Sequence, residues 1–142
     1  TQNIDGLHQR SGSRAVLELH GSVHRSACMR CRRFYSLAEV MAQDGVPKCA
    51  CGGTIKPDVV LYGEALDQRV LGEAAEVIAA ADLLLIGGTS LTVYPAAGLV
   101  KYFRGEHLVV INLSNTDQDL RATLCIARPI GRVLRQALDG AF

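Results

Sequence analysis

Apolar positions are spread unevenly along the 142 residues, and the texture changes near residue 58. Residues 21 to 57 are polar, basic and rich in cysteine, punctuated by Gly52-Gly53 and Pro57. Beyond them, apolar runs alternate with amphipathic stretches. DVVLYG (58 to 63) reads as a short strand closed by Gly63. Asp67 suits the N-cap of a helix whose apolar positions Val70, Leu71, Ala74, Ala75 and Ile78 recur at helical spacing. DLLLIGG (82 to 88) is a continuous apolar run closed by glycines, as expected of a strand covered on both faces. Pro95 suits the first turn of a helix carrying Leu99, Val100 and Phe103, and HLVVIN (107 to 112) reads as the next buried strand. Ile130, Val133, Leu134, Ala137 and Leu138 form an i, i+3, i+4, i+7, i+8 stripe for a last helix. Strand, helix, strand, helix, strand is the order that builds a parallel sheet with right-handed crossovers, so the expected class is α/β.

Composition narrows this little further. A hydrophobic content of 49% fits a globular core, and a net charge of +1 gives no reason to expect a nucleic-acid or acidic-membrane partner. No apolar run approaches the roughly 18 residues that a membrane helix needs. No secretory pattern is visible, and a start at Thr1 rather than Met fits processing or a piece cut from a longer chain. Cysteine usage changes the picture more. Cys28, Cys31, Cys49 and Cys51 crowd together, with Cys125 apart. A disulfide framework would spread its cysteines along the chain, so reduced thiols and a cytoplasmic location are expected. Cys125 is expected to be a small buried hydrophobe.

Two kinds of candidate chemistry stand out. Cys28-x2-Cys31 followed by Cys49-x-Cys51 can wrap one tetrahedral Zn²⁺ with four thiolates, a closed structural site. Arg30, Arg32, Arg33, Lys48 and Lys56 would offset its negative charge, while His24 is expected at the surface. The second kind lies at the strand ends, where ligands of parallel sheets bind. GGTS (87 to 90) and NLSN (112 to 115) follow the two buried strands and suit a ribose or phosphate, unless they are ordinary βα turns. The opening TQNIDGLH is a dense polar cluster, either a frayed end or part of a site.

TQNIDGLH, ELHGS, the Cys-x2-Cys and Cys-x-Cys-Gly-Gly pairs, KPDVVLYGE, IGGTSL-x-V-x-P and VIN stand in the order seen in sirtuins, which the whole chain resembles. The resemblance implies a partial Rossmann-like NAD-binding portion (residues 1 to 20 and 58 to 142) with an inserted zinc-ribbon module (residues 21 to 57). It implies an NAD-dependent protein-lysine deacylase acting on an acyl-lysine protein or peptide. Its products would be nicotinamide, an O-acyl-ADP-ribose and deacylated lysine. His20 would be the general base on a ribose hydroxyl, a task suited to an imidazole. Asp5 would bond the nicotinamide carboxamide, Asn3 would order the reacting centre, and Gln2 would contact the nicotinamide ribose. Gly88, Thr89, Ser90 and Asn112 would take the adenosine ribose and nearby phosphate, with Ile130 and Gly131 at the adenine. Val59, Val60, Tyr62, Gly63 and Glu64 would pair with the substrate peptide as an added strand, faced by Val93. The family usually has Phe where Tyr62 stands, so that hydroxyl needs a partner or solvent.

The family's first strand, its Gly-Ala-Gly-x-Ser turn and its Asp-Phe-Arg loop do not occur in these residues. The expectations that follow are an unpaired sheet edge that invites self-association, poor NAD binding and no measurable turnover by these residues alone. Two competing readings remain. One is a non-catalytic zinc-bearing module that binds peptide or ADP-ribose. The other is a nucleic-acid zinc ribbon resting on Arg30, Arg32 and Arg33, which the net charge and sparse aromatics argue against.

Overall fold

A computed structural model describes residues 1–140. The chain divides into two compact units, with the break between Leu71 and Gly72.

The first unit is built on an antiparallel sheet. Helix α1 (Leu7–Arg10) closes the opening segment, followed by β1 (Gly21–Cys28), β2 (Phe34–Ser36), α2 (Leu37–Met41) and β3 (Ile55–Val59). The sheet order is β2–β1–β3. Central β1 buries Ser22, Ser26 and Cys28, small residues that let its neighbours approach, and its register with β3 slips between Ser22 and Ser26. Gly21 opens the strand at φ 76°, and a Cβ there would run into the Asp58 carbonyl oxygen. Only glycine fits two backbones that close. Ser36 starts α2 with a reciprocal cap: its Oγ accepts from the Glu39 N–H, while Glu39 Oε2 accepts from the Ser36 N–H at 2.7 Å.

The strand expected over DVVLYG is displaced. It runs instead over Ile55–Val59, antiparallel to β1, and the parallel sheet does not contain it. After Val59 the chain turns, with the Glu64 N–H donating to the Leu61 carbonyl at 3.0 Å. Pro57 sits inside this strand rather than ahead of it, which an edge position tolerates.

Helix α3 (Gln68–Ala80) runs across the break. Asp67 Oδ1 caps it, accepting from the Arg69 N–H at 2.8 Å and the Val70 N–H at 3.3 Å. Its stripe of Val70, Leu71, Ala74, Ala75 and Ile78 is the covered face.

The second unit holds β4 (Leu83–Gly87), β5 (His107–Ile111) and β6 (Leu124–Ile126), parallel and in that order, with α4 (Ile130–Asp139) at the end. β6 was not foreseen. The Pro95 helix forms as a 3-10 helix over Ala96–Tyr102, with Gly98 weakening the α alternative. Its Val100 joins Ile86, Leu108 and Val110 in the core, with Leu84, Leu91, Phe103 and Ala122 packed around them. The face of β4 carrying Leu83 and Leu85 is exposed, at 54% and 41%, so this strand is covered on one face and not on both as expected. The α4 stripe exists, but Leu134 and Leu138 stay 40% and 67% exposed. Cys125 is exposed on the outer strand β6 rather than buried, its thiol directed at the Asp119 carbonyl. No helix among the described residues is long and apolar enough to cross a membrane.

Candidate functional site

In the first unit the opening segment is pinned rather than frayed. The Thr1 ammonium donates to the Leu17 carbonyl at 2.8 Å, the Leu19 N–H to the Thr1 carbonyl at 3.0 Å and the Val23 N–H to the Ile4 carbonyl at 3.0 Å. These bonds lay Gln2 and Asn3 alongside the approach to β1. His20 is half-buried there, and its Nδ1 lies 3.1 Å from the Gln2 carbonyl oxygen. A carbonyl only accepts, so Nδ1 carries a proton, and the uncharged tautomer this bond selects has its lone pair on Nε2. Asn3 is exposed, with its N–H on Thr1 Oγ1 at 3.1 Å. Asp5 uses Oδ1 to accept from the Leu7 N–H at 3.0 Å, and its carbonyl accepts from His24 Nε2 at 2.9 Å. His24 is an exposed residue that holds this turn.

The same sheet brings the expected substrate segment to His20, whose carbonyl accepts from the Val60 N–H at 3.1 Å, while Val59 pairs with Gly21. Tyr62 is fully exposed, so its hydroxyl meets solvent, and Gly63 turns at φ 83°. Glu64 is committed to its own loop. Its carboxylate takes the Leu61 N–H at 2.9 Å and Lys56 Nζ at 3.0 Å, and these donors, the Leu61 N–H foremost, hold it below the usual carboxylate range. Lys56 is therefore turned to Glu64 and the Val59 carbonyl, not to the cysteines as expected.

The four cysteines converge. Their Sγ atoms all lie within 4.8 Å of one another, with Cys28 to Cys51 and Cys31 to Cys49 each at 3.5 Å. A Zn²⁺ about 2.3 Å from each of four sulfurs places them roughly 3.8 Å apart, so the donor set fits that ion. Cys28 and Cys49 are buried, at the centre of a cluster with Ile55, Tyr35 and Val40. The Cys31 N–H, then the Arg30 N–H, draw the Cys28 thiol down. The Cys51 N–H, with the Tyr35 hydroxyl next, lowers Cys49 to about 6. Cys31 feels the Arg33 N–H downward, but the other three sulfurs outweigh it and push it up to about 11. One ion would replace this sharing of protons by four thiolates. Gly53 is obligatory, because a Cβ there would lie 2.6 Å from Cys28 Sγ. Arg30 donates to the Cys51 carbonyl at 3.0 Å, Arg33 lies 5.5 Å from the Tyr35 ring centre, and Arg32 is held left-handed at φ 62°.

In the second unit a groove of about 430 Å³ opens at the carboxyl ends of β4 and β5. It is lined by Gly88, Thr89, Ser90, Asn112, Ile130 and Gly131, so every candidate assigned to the adenosine half meets in one place. The Asn112 amide nitrogen donates to the Thr89 carbonyl and the Ser114 carbonyl, both at 2.9 Å. One hydrogen thus joins the two loops and the other braces Asn112's own turn, and Oδ1 is left to accept. The Thr89 hydroxyl accepts from the Leu91 N–H at 3.1 Å, and Ser90 bonds Thr92 at 2.7 Å. A Cβ on Gly87 would collide with the Ile130 side chain, and Gly88 follows at φ 63°, the left-handed region that favours glycine. Leu113 and Ser114, from the NLSN turn, also line the groove, as do Arg128 and Pro129, which were not nominated. Arg128 follows β6, so missing that strand hid it. Val93 is exposed at 47%, its carbonyl holding the Ala97 N–H.

A family model described as "Sir2 family" matches residues 1–95. The chain belongs to the Sir2 family. It is 56% identical over 141 residues to an "NAD-dependent protein deacetylase" of Clostridium perfringens, covering 98% of this chain and 58% of that protein. A protein of the same name from Cutibacterium acnes is 54% identical over 134 residues, with 94% and 55% covered. The chain thus spans little more than half the length of these Sir2-family relatives. Among solved structures it is similar to "Sir2-p53 peptide-NAD+", at TM-score 0.90 and 40% identity, covering 99% of this chain and 61% of that one. "Sir2 bound to acetylated peptide" matches at TM-score 0.91 and 40% identity, again over 99% and 61%.

Proposed function

We propose that the protein is an NAD-dependent protein-lysine deacylase, acting on acyl-lysine in proteins or peptides and releasing nicotinamide, an O-acyl-ADP-ribose and free lysine. The observation that carries this reading is the hydrogen bond from His20 Nδ1 to the Gln2 carbonyl at 3.1 Å. It fixes the tautomer whose Nε2 can take a proton, which a purely peptide- or ADP-ribose-binding module does not need. The names of the similar proteins and structures support it.

Bound NAD would supply an electrophilic ribose carbon and nicotinamide as its leaving group. His20 takes a proton from a ribose hydroxyl, while Gln2, Asn3 and Asp5 hold the nicotinamide end. Gly88, Thr89, Ser90, Asn112, Ile130 and Gly131 hold the adenosine end. Val59, Val60, Tyr62, Gly63, Glu64 and Val93 meet the acyl-lysine peptide, and Cys28, Cys31, Cys49 and Cys51 hold a zinc ion outside the chemistry. Residues 1 to 20 with 58 to 142 then form the NAD-binding portion around a zinc module of residues 21 to 57. Five free thiols fit a reducing, cytoplasmic setting, and a net charge of +1 fits a protein substrate better than a nucleic acid.

The test is nicotinamide release from NAD with an acetyl-lysine peptide, using the protein in its full natural length. His20→Ala should lower turnover by about 10²- to 10⁴-fold while zinc content and ADP-ribose binding persist. Undiminished turnover in that variant removes His20 from its role. A silent parent that still binds ADP-ribose or peptide leaves the binding module as the better reading.

A further inference from the structure

Residues 59 to 64 lead out of β3, and the second half of that stretch has no buried side chain: Leu61, Tyr62, Gly63 and Glu64 are all exposed. Polar bonds fix it instead, and two of them come from one lysine. Lys56 Nζ donates to the Val59 carbonyl at 2.7 Å and to Glu64 Oε2 at 3.0 Å, and the same oxygen accepts from the Leu61 N–H at 2.9 Å. The Glu64 N–H closes the turn on the Leu61 carbonyl at 3.0 Å, with Gly63 supplying the left-handed φ of 83°. Lys56 stands on a firm base. It is half-buried on β3 opposite Ala27 of β1, and its neighbour Ile55 is 3% exposed, packed with Cys28 and Cys49. The Val60 N–H is spent on the His20 carbonyl at 3.1 Å. The Val60 carbonyl and both backbone groups of Tyr62 and Gly63 then have no partner among the described residues. An added strand needs such groups, held in one geometry before it arrives.

We propose that Lys56 is a positioning residue for the acyl-lysine peptide: it holds the Val59 carbonyl and the Glu64 carboxylate together, and so keeps residues 59 to 64 in the form onto which the peptide adds. This role rests on reading that stretch as the substrate segment of a deacylase. Lys56 need not touch the peptide. A segment ordered while the chain folds costs less to order on binding, so loss of the lysine is felt in peptide affinity. A guanidinium offers donors for the same two acceptors, and a methionine of similar length offers none.

Titration calorimetry with an acetyl-lysine peptide, on the protein in its full natural length, compares the parent with Lys56→Met and Lys56→Arg. Lys56→Met should weaken peptide binding by about three- to tenfold, the scale of a partly exposed ion pair with one further charge-assisted bond. Lys56→Arg should restore most of that loss. In turnover, Lys56→Met should raise KM for the peptide by the same factor while kcat and KM for NAD stay at parental values. Zinc content and circular dichroism should not move in either variant. Unchanged peptide affinity in Lys56→Met overturns the role. A loss that Lys56→Arg does not restore, or one that comes with loss of zinc or an equal rise in KM for NAD, also overturns it, since Lys56 would then only support the fold. A parent that binds the peptide but releases no nicotinamide ends the deacylase reading, while the affinities of the variants still decide the role of Lys56. A parent that binds no acyl-lysine peptide ends the substrate reading of the segment and the role with it.

Discussion

The two units solve the problem of a small core differently. Around the cysteines, the buried side chains are Cys28, Cys49 and Ile55, with Tyr35, Val40 and Cys51 against them. Around the parallel sheet they are Ile86, Val100, Leu108 and Val110, aliphatic throughout. A cluster with one buried isoleucine and four sulfurs has little apolar surface to hold it, so its cohesion must come from an ion. The aliphatic cluster can hold by burial alone. The lesson is that one chain can mix metal-dependent and solvent-driven folding, and that each should fail under a different insult.

The largest expected effect is therefore chelation. Structural zinc contributes about 10–16 kcal/mol in small metallo-modules, more than any single side chain can. Chelation, or Cys28→Ser, should open the amides of β1 and β2 to hydrogen exchange while those of Val109 to Ile111 stay protected. Simultaneous opening of both sets would break the comparison. Next comes Leu108→Ala, which removes a side chain only 4% exposed and should cost about 2–5 kcal/mol in urea unfolding. Zinc stoichiometry should not change in that variant, and loss of the ion would mean that the two cores are not separable.

The smallest effect sharpens the contrast within the zinc module, where local capping supplements the metal. Ser36→Ala should cost about 1 kcal/mol. Glu39 adds a pH signature, because the Ser36 N–H and then its hydroxyl hold that carboxyl below its ordinary range. A depressed folded value means stability that is present above the ordinary carboxylate range and lost as pH falls through the folded value. The difference in urea midpoint between parent and Glu39→Gln should thus be widest near neutrality and close in acid. A gap that stays constant from neutral to acid pH would show that the cap works without its charge.

Legibility followed the same division. β4 and β5 were readable because LLLIG and HLVVI are apolar runs ended by glycine or asparagine. β1 was not, because its buried positions are Ser22, Ser26 and Cys28, and no hydrophobic alternation marks them. β6 is three residues long and carried by Cys125, too short for any period. The same cysteine misled on burial, since its residue type is usually interior and its outer strand leaves it in the open. Pro57 read as a boundary because edge position cannot be known before the sheet is. In the candidate site, spacing alone announced the four cysteines. The partner of His20 was hidden, being a backbone carbonyl 18 residues away that no side-chain pattern can declare. Ser36-x-x-Glu39 was legible as a capping signature and went unread.

Asn112 ties its own turn to the Thr89 loop through one amide group: one bond of 2.9 Å crosses to the Thr89 carbonyl, and a second of 2.9 Å braces the turn at the Ser114 carbonyl. The entropy of ordering those loops is met while the chain folds, so a ligand entering the groove would find the opening already set. Recognition there is preorganised, so capture should run at the rate of encounter and selectivity should reside in residence time. A single side chain in this way sets the width of the groove before anything enters it.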